Sequence, residues 1–291
     1  MKQPSIHRQL RVVLDTYQEG SFATQQARHD ILMVAVGDLH QLGYSNLKLG
    51  NLKQKHVHAL IVDWKVQGIA CATMKNRMAH LRWLVGKLGK PNVIPRSNQT
   101  LGIENRVYVD NARNKAWELT DTHLSQIRSE RVRLSLELER FFGMRKEESL
   151  KFQPSYADQG DFLLMKSSWC KGGRPRRIPI TTAKQRRILS DCHRVAGKGS
   201  MIPQDKQYAS YLSSFEKYCA RAGIRNVHGL RHKYAQVMYR KLTGWDCPKD
   251  GGPKRRQMTA TQKQQDYAAR MTISEALGHG REKITAVYLG R

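Results

Sequence analysis

Five short groups of residues, spread over half of the chain, carry side chains suited to chemistry. Gly143-Met144-Arg145-Lys146-Glu147-Glu148 sets an arginine three positions before a glutamate. Lys171 opens Lys171-Gly172-Gly173-Arg174-Pro175, a turn between two apolar runs. His228-Gly229-Leu230-Arg231 puts an imidazole and a guanidinium on one face of a helix. Leu277-Gly278-His279 adds another imidazole, and Tyr288 follows nine positions later in Thr285-Ala286-Val287-Tyr288-Leu289. Such a set suits an anionic target. Guanidiniums grip paired oxygens bidentately, and imidazole and ammonium groups move protons. A phenol, with a pKa of about 10 when free, attacks once a base or nearby cations assist it.

The whole composition points to an anionic partner. The 291 residues hold 51 Lys+Arg against 24 Asp+Glu, a net charge of +27. Solubility needs only about 2–8 charges in a small domain, and a larger excess opposes compaction unless a polyanion offsets it. Nucleic acid is that polyanion, since each neutralised phosphate releases a counterion. A membrane surface would call for a basic amphipathic helix or a lipidation motif, and neither is present. No run of 18 apolar residues occurs. Met1-Lys2-Gln3-Pro4-Ser5 leads into a polar segment rather than a secretory core. The five cysteines, Cys71, Cys170, Cys192, Cys219 and Cys247, form no CxxC. They read as reduced cytosolic thiols rather than a disulfide framework, or a zinc site made of Cys192, His193, Cys219 and His228.

The elements that must position these groups are mostly helical. Over 1–90, four apolar stripes recur at helical spacing: Ile6, Leu10, Val13, Leu14, Tyr17; Ala27, Ile31, Val34, Ala35, Leu42; Val57, Leu60, Ile61, Trp64; and Met74, Met78, Leu81, Leu84, Val85, Leu88. Their polar faces carry Lys53, Lys55, Lys75, Arg77, Arg82, Lys87 and Lys90, which predicts a four-helix module with a basic side. Residues 91–118 are rich in breakers and read as a linker. From 119 the chain is structured again, with Thr120-Asp121-Thr122 as a helix start. Leu124, Ile127, Val132, Leu134, Leu136 and Leu138 populate the helices that follow. Strands over 161–166 and 177–180 flank the turn that holds Lys171, and helices resume at Ala183.

Arg145, a hairpin lysine, H-x-x-R at His228 and Arg231, L-G-H ending on His279, then Tyr288: in this order the groups resemble the catalytic signature of the tyrosine recombinases, the family of phage-type integrases. At motif level the resemblance covers residues 119–291. It implies a mainly α fold with a small antiparallel β-sheet, in which a helical core-binding, DNA-binding domain (1–90) and a linker (91–118) precede an α+β catalytic domain (119–291). It implies a site-specific recombinase that cuts and rejoins DNA through a 3′-phosphotyrosine, without metal, ATP or other cofactor, for a mobile element. Arg145 and Arg231 would clamp the non-bridging oxygens of the phosphorane, and His279 would add a hydrogen bond. Tyr288 would be the nucleophile, His228 its base, Lys171 the acid for the leaving 5′-oxygen, and Glu148 the residue orienting Arg145 or His228. Lys166 shares the hairpin, but Lys171 fits the family's K-x-x-x-x-R pattern. His232 would pack beside the site. No other tyrosine among Tyr208, Tyr211, Tyr218, Tyr234 and Tyr239 follows L-G-H at this spacing.

The expected partners are double-stranded DNA bearing specific sites, further copies of the chain up to a tetramer on DNA, and DNA-bending accessory proteins, in a prokaryotic cytoplasm at the nucleoid. DNA contacts are expected from Lys53, Lys75, Arg77, Arg82, Arg174, Arg177, Lys254, Arg255 and Arg256. Two departures from the family stand out. His279 lies 48 positions beyond Arg231, and the excess, 243–267, is basic (Lys249, Lys254, Arg255, Arg256, Lys263). It reads as a solvated loop or as an extra phosphate contact. Only three residues follow Tyr288, where many relatives continue with a helix that docks on a neighbouring protomer, so either another surface is expected to link subunits or this sequence stops short of that helix. Two other functions fit the same signature: DNA relaxation by a type IB topoisomerase, and a non-catalytic, architectural DNA-binding protein.

Overall fold

The computed structural model describes residues 5–291 and divides into two compact units, Met1–Val107 and Tyr108–Arg291. The amino-terminal residues read above as no secretory core lie, up to Pro4, outside the described residues. Among the described residues no helix is long and apolar enough to cross a membrane.

The first unit is four helices: α1 (Ile6–Thr16), α2 (Phe22–Gln41), α3 (Gln54–Val66) and α4 (Cys71–Lys87). Ser5 and Ser21 cap α1 and α2 by accepting the backbone N–H groups of Arg8 and Thr24. Leu10, Leu32, Leu60, Trp64, Met78 and Leu84 fill the core. The stripe expected on α2 is turned by one position. Leu32, Ala35, Val36 and Leu39 face inward with Arg28, while Val34 and Leu42 are exposed. The run Ile31-Leu32-Met33-Val34-Ala35-Val36 is apolar all round, so its periodicity selects no face. The unit also extends further than the helical pattern. Ile94, Leu101 and Ile103 pack into its core, and Arg82 donates to the Pro95 carbonyl (2.9 Å) and to Asn98 Oδ1 (2.7 Å). Residues 103–119 contain neither helix nor strand.

The second unit begins with α5 (Asp121–Ser125), capped by Thr120, then α6 (Glu130–Phe142), α7 (Lys146–Lys151) and α8 (Pro154–Ala157). Strands β1 (Phe162–Met165) and β2 (Arg176–Pro179) pair antiparallel, with Phe162 opposite Pro179 and Met165 opposite Arg176. The turn expected between them is a longer connection of two 3₁₀ turns, and β2 begins at Arg176, one residue before the expected strand. Five helices follow: α9 (Ala183–Ala196), α10 (Tyr208–Arg221), α11 (His228–Thr243), α12 (Ala260–Ala276) and α13 (Glu282–Leu289). Three apolar clusters stabilise the unit. One joins α6 to the sheet and α9, one joins α6 to α10, and one wraps α11, α12 and α13 around Tyr239, Ile273 and Leu289. The chain is therefore mostly helical with one small antiparallel sheet.

Candidate active site

Three glycine-marked helix ends bring the separated groups together within the second unit. Helix α6 ends at Gly143, whose φ of +61° and contact with Tyr234 leave no room for a side chain; a Cβ there would lie 2.4 Å from the Tyr234 ring. The reversal delivers Arg145 as the cap residue of α7, its backbone N–H donating to Glu148 Oε2 (2.7 Å). Helix α11 starts at His228 and carries Arg231 one turn on. Gly229 lies so close to the segment before α5 that a Cβ would meet the Lys115 carbonyl at 2.7 Å. Helix α12 closes at Leu277, and Gly278, with φ +72°, turns the chain so that His279 faces α13.

Tyr288 is the meeting point. Its hydroxyl lies 3.1 Å from His279 Nε2 and 3.4 Å from Arg231 Nε. Arg231 is fully buried; its other nitrogens donate to the carbonyls of Gly143 and of Leu277. Arg145 donates to Glu148 Oε1 (2.7 Å) and, at 3.4 Å, to the same Leu277 carbonyl. The two arginines thus share one backbone oxygen, and Arg231 lies beside the phenol.

Glu148 is buried between two guanidiniums. Besides Arg145 it receives Arg176, Nη1 to Oε1 at 2.9 Å and Nη2 to Oε2 at 2.7 Å. Burial alone would raise its carboxyl, but the hydrogen bonds and charges of Arg176 and Arg145 prevail and hold it at about 2. Arg176 had no role in the sequence reading. A signal was there: the K-x-x-x-x-R pattern from Lys171 ends on it, and the alternation of β2 turns Arg176 and Ile178 inward. Its neighbours Arg174 and Arg177, expected on DNA, are exposed, Arg177 lying over the Phe162 ring.

Three histidines surround the phenol, all shifted toward the neutral form. Burial and then the charges of Arg231, Arg145 and Arg176 push His279 down to about 4. Burial and the facing His228 take His232 to about 3. Its ring packs 4.7 Å from that of Tyr288, and its Nδ1 has no partner among the described residues. His228 is lowered by burial and by Arg231 and Arg145, and its ring centre is 6.5 Å from that of Tyr288. So His279, rather than the expected base His228, holds the hydroxyl. Lys171 is exposed and makes no hydrogen bond or ion pair with the described residues. Lys166 is held over the rings of Tyr156 and Trp169.

The other expected DNA contacts divide. Lys53, Lys254 and Arg256 are exposed. Arg255 is exposed too, with Nη1 3.5 Å from Asp266. Lys75 donates to Asn105 Oδ1 (3.0 Å), Arg77 lies over Trp64 and 3.5 Å from Asp38, and Arg82 holds the 95–98 turn. These last three have protein acceptors or an aromatic face where DNA had been expected. The long segment after α11 is not a solvated loop throughout: Cys247 and Met258 are buried, and Trp245 donates to Tyr239 Oη (3.3 Å). Among the described residues no group of three or more His, Cys, Asp or Glu is placed to hold a metal ion.

Family models agree with this architecture. Residues 5–94 match the phage integrase N-terminal model and residues 110–237 the integrase model. No curated protein matches. Among solved structures, the XerH site-specific recombinase bound to palindromic difH substrate, in its post-cleavage complex, aligns at 18% identity with a TM-score of 0.60, over 97% of this chain and 80% of that one. A lambda integrase tetramer bound to a Holliday junction aligns at 16% identity and TM-score 0.61, over 99% and 78%. The Tn1549 transposon integrase in complex with transposon right end DNA aligns at 11% identity and TM-score 0.55, over 99% and 95%.

Proposed function

This chain belongs to the phage-type integrase family of tyrosine recombinases, and from that we propose that it cuts and rejoins DNA at specific sites through a phosphodiester bond to Tyr288. The observation that carries the reading is the phenol hydroxyl within 3.1 Å of His279 and 3.4 Å of a fully buried Arg231. In the proposed step the Tyr288 oxygen forms a bond to phosphorus and the bond to the 5′-oxygen breaks, leaving a 3′-phosphotyrosine. Arg145 and Arg231 exchange the Leu277 carbonyl for the non-bridging oxygens, where fixed donors are worth roughly 3–4 kcal/mol each. His279 passes from the hydroxyl to the same oxygens. His228, kept neutral by burial and then by its cationic surroundings, takes the phenol proton. Lys171, on the exposed connection between β1 and β2, gives a proton to the leaving oxygen. Glu148 and Arg176 act through Arg145, holding its guanidinium in place.

A 5′-hydroxyl from a second strand reverses the step, so the bond energy is retained in the phosphotyrosine. The first unit and the exposed cations Lys53, Arg174, Arg177, Lys254, Arg255 and Arg256 hold the duplex in this scheme. Paired sites are brought together by several copies of the chain, a tetramer with DNA-bending helpers, to integrate or excise a mobile element in a prokaryotic nucleoid. The test is a nicked suicide duplex, which traps the adduct because the short 5′ strand diffuses away. Wild type is expected to give a protein–DNA adduct whose attached sequence names the site. Tyr288→Phe should bind the same duplex and give none. Adduct formation by the phenylalanine variant would end the proposal.

A further inference from the structure

The long segment between α11 and α12 meets the nucleophile's helix from behind. Its first part is built into the core. Cys247 is buried in the apolar cluster that also holds Tyr288 and Leu289, and its carbonyl accepts the N–H groups of Asp250 (2.8 Å) and Gly252 (3.0 Å). Gly252 is pressed against the Asp246 carbonyl so closely that no other residue fits. This tight turn presents Lys249, half-buried, to the end of α13, where its Nζ donates to the Val287 carbonyl at 2.8 Å. The neighbouring carbonyls are also taken. Gln236 Nε2 donates to Tyr288 O (3.1 Å) and Arg270 Nη1 to Gly290 O (3.0 Å). Asn114 ties the turn down from the other side, donating to the Lys249 carbonyl (3.3 Å) and accepting from Gln236 (2.9 Å).

The last turn of a helix ordinarily leaves its carbonyls to water, and its partial negative charge favours a cation. Here three side chains from two other helices and the inserted turn occupy that end. An eight-residue helix has little stability of its own. Its position, and with it the Tyr288 hydroxyl, is set by what grips it.

We propose that Lys249 is a positioning residue for Tyr288: the inserted turn is a clasp on the end of α13 that holds the phenol against His279 and Arg231. The proposal rests on Tyr288 being the nucleophile. Committed to a carbonyl, the ammonium is not a phosphate contact, which separates this role from the one that a basic loop suggests.

Lys249→Met keeps the stem and removes the charge and the donor; Lys249→Arg keeps both. On the suicide duplex at saturating DNA, Lys249→Met is expected to slow adduct formation about ten- to a hundredfold, the size of effect that slight misplacement of a reacting group produces. Lys249→Arg should recover most of that rate. DNA affinity and its salt dependence, measured in a Tyr288→Phe background, should stay as in the unsubstituted lysine form. Amide exchange should rise at 286–291 and not in α6. An unchanged adduct rate overturns the clasp, and so does a loss confined to affinity. If wild type forms no Tyr288 adduct, the proposed function fails instead, and the exchange pattern alone then decides whether Lys249 holds the helix.

Discussion

Both units take arginines out of water, and they do so to different effect. In the first unit Arg28 lies 3.9 Å over the Trp83 ring and donates to the Glu19 carbonyl. Arg77 stacks on Trp64 beside Asp38, and Arg82 is used up on Pro95 and Asn98. Each cation there has its own aromatic face, carbonyl or carboxylate. In the second unit Arg145, Arg176 and Arg231 gather around one carboxylate, Glu148, and two of them lean on a single carbonyl, that of Leu277. Three cations share one carboxylate and otherwise rest on neutral carbonyls, so a bound anion would be stabilised there. The count of basic residues in a stretch therefore says little about its chemistry; the balance of cations against satisfied acceptors within a few ångströms says more.

The largest effect that would sharpen this contrast is on Glu148. Glu148→Gln strands two guanidiniums, one of them buried, and should cost about 3–5 kcal/mol in urea unfolding. Asp38→Asn in the first unit makes the hydrogen bond from Trp64 Nε1 (2.7 Å) a neutral one and loses a longer ion pair with Arg77. It should cost about 1–3 kcal/mol. Equal losses would erase the distinction between the two regions.

Acid should expose the same carboxylate. Glu148 is held at about 2 against an ordinary 4.5, so its contribution is present above pH 4.5 and is lost as the pH falls toward 2. That contribution is about 3 kcal/mol by linkage. A stability profile of wild type should fall across this window, and the Glu148→Gln profile should be flatter. Parallel profiles would mean that the carboxylate is not pinned by its arginines.

Smaller still are the effects on DNA. Lys254→Ala and Arg256→Ala should each lower the salt slope of binding by about one unit, whereas Arg77→Met should leave it unchanged because that guanidinium is already engaged by Trp64 and Asp38. A reduced slope for Arg77→Met would show that the first unit's inward arginines reach DNA after all. The least effect is expected at Glu139, buried against Ser149 Oγ (3.1 Å) and raised well above its ordinary value by burial. Such a group stabilises fully below its unfolded pKa and loses that contribution as the pH rises through the folded one. Glu139→Gln should be neutral in acid and gain slightly toward alkaline pH; a large loss at every pH would mean that the acid is ionised.

Several features could be read directly from residue types. Their order along the chain, through its resemblance to the tyrosine recombinase signature, singled out Arg145, His228, Arg231, His279 and Tyr288, and the structure gathers them because they sit near helix ends and turns that glycines mark: Gly143, Gly229 and Gly278. Thr120 was visible as a helix start through its capping chemistry, and the helical pattern resuming at Ala183 placed the start of α9. The inward face of α2 was not, since an all-apolar run has no preferred side. Arg176 was passed over for Arg174 and Arg177, because three arginines in four positions look alike until the pleat of β2 sends one of them inward. The segment after α11 looked like a loop because its core contacts, Cys247 with α13 and Trp245 with Tyr239, join residues that local pattern does not pair.

The amino-acid sequence by itself determined a strongly cationic chain, two runs of helices with one short hairpin between strands, and an ordered series of groups able to attack a phosphate. Those are properties of composition and of spacing within a few residues. The tertiary structure alone decided which arginine meets which acceptor, that His279 rather than His228 touches the phenol, and that Lys249 grips a helix instead of facing solvent. The reason is physical: burial and hydrogen bonding act over a few ångströms, and apart from Arg145 and Glu148 the partners in question lie from 9 to 132 positions apart along the chain.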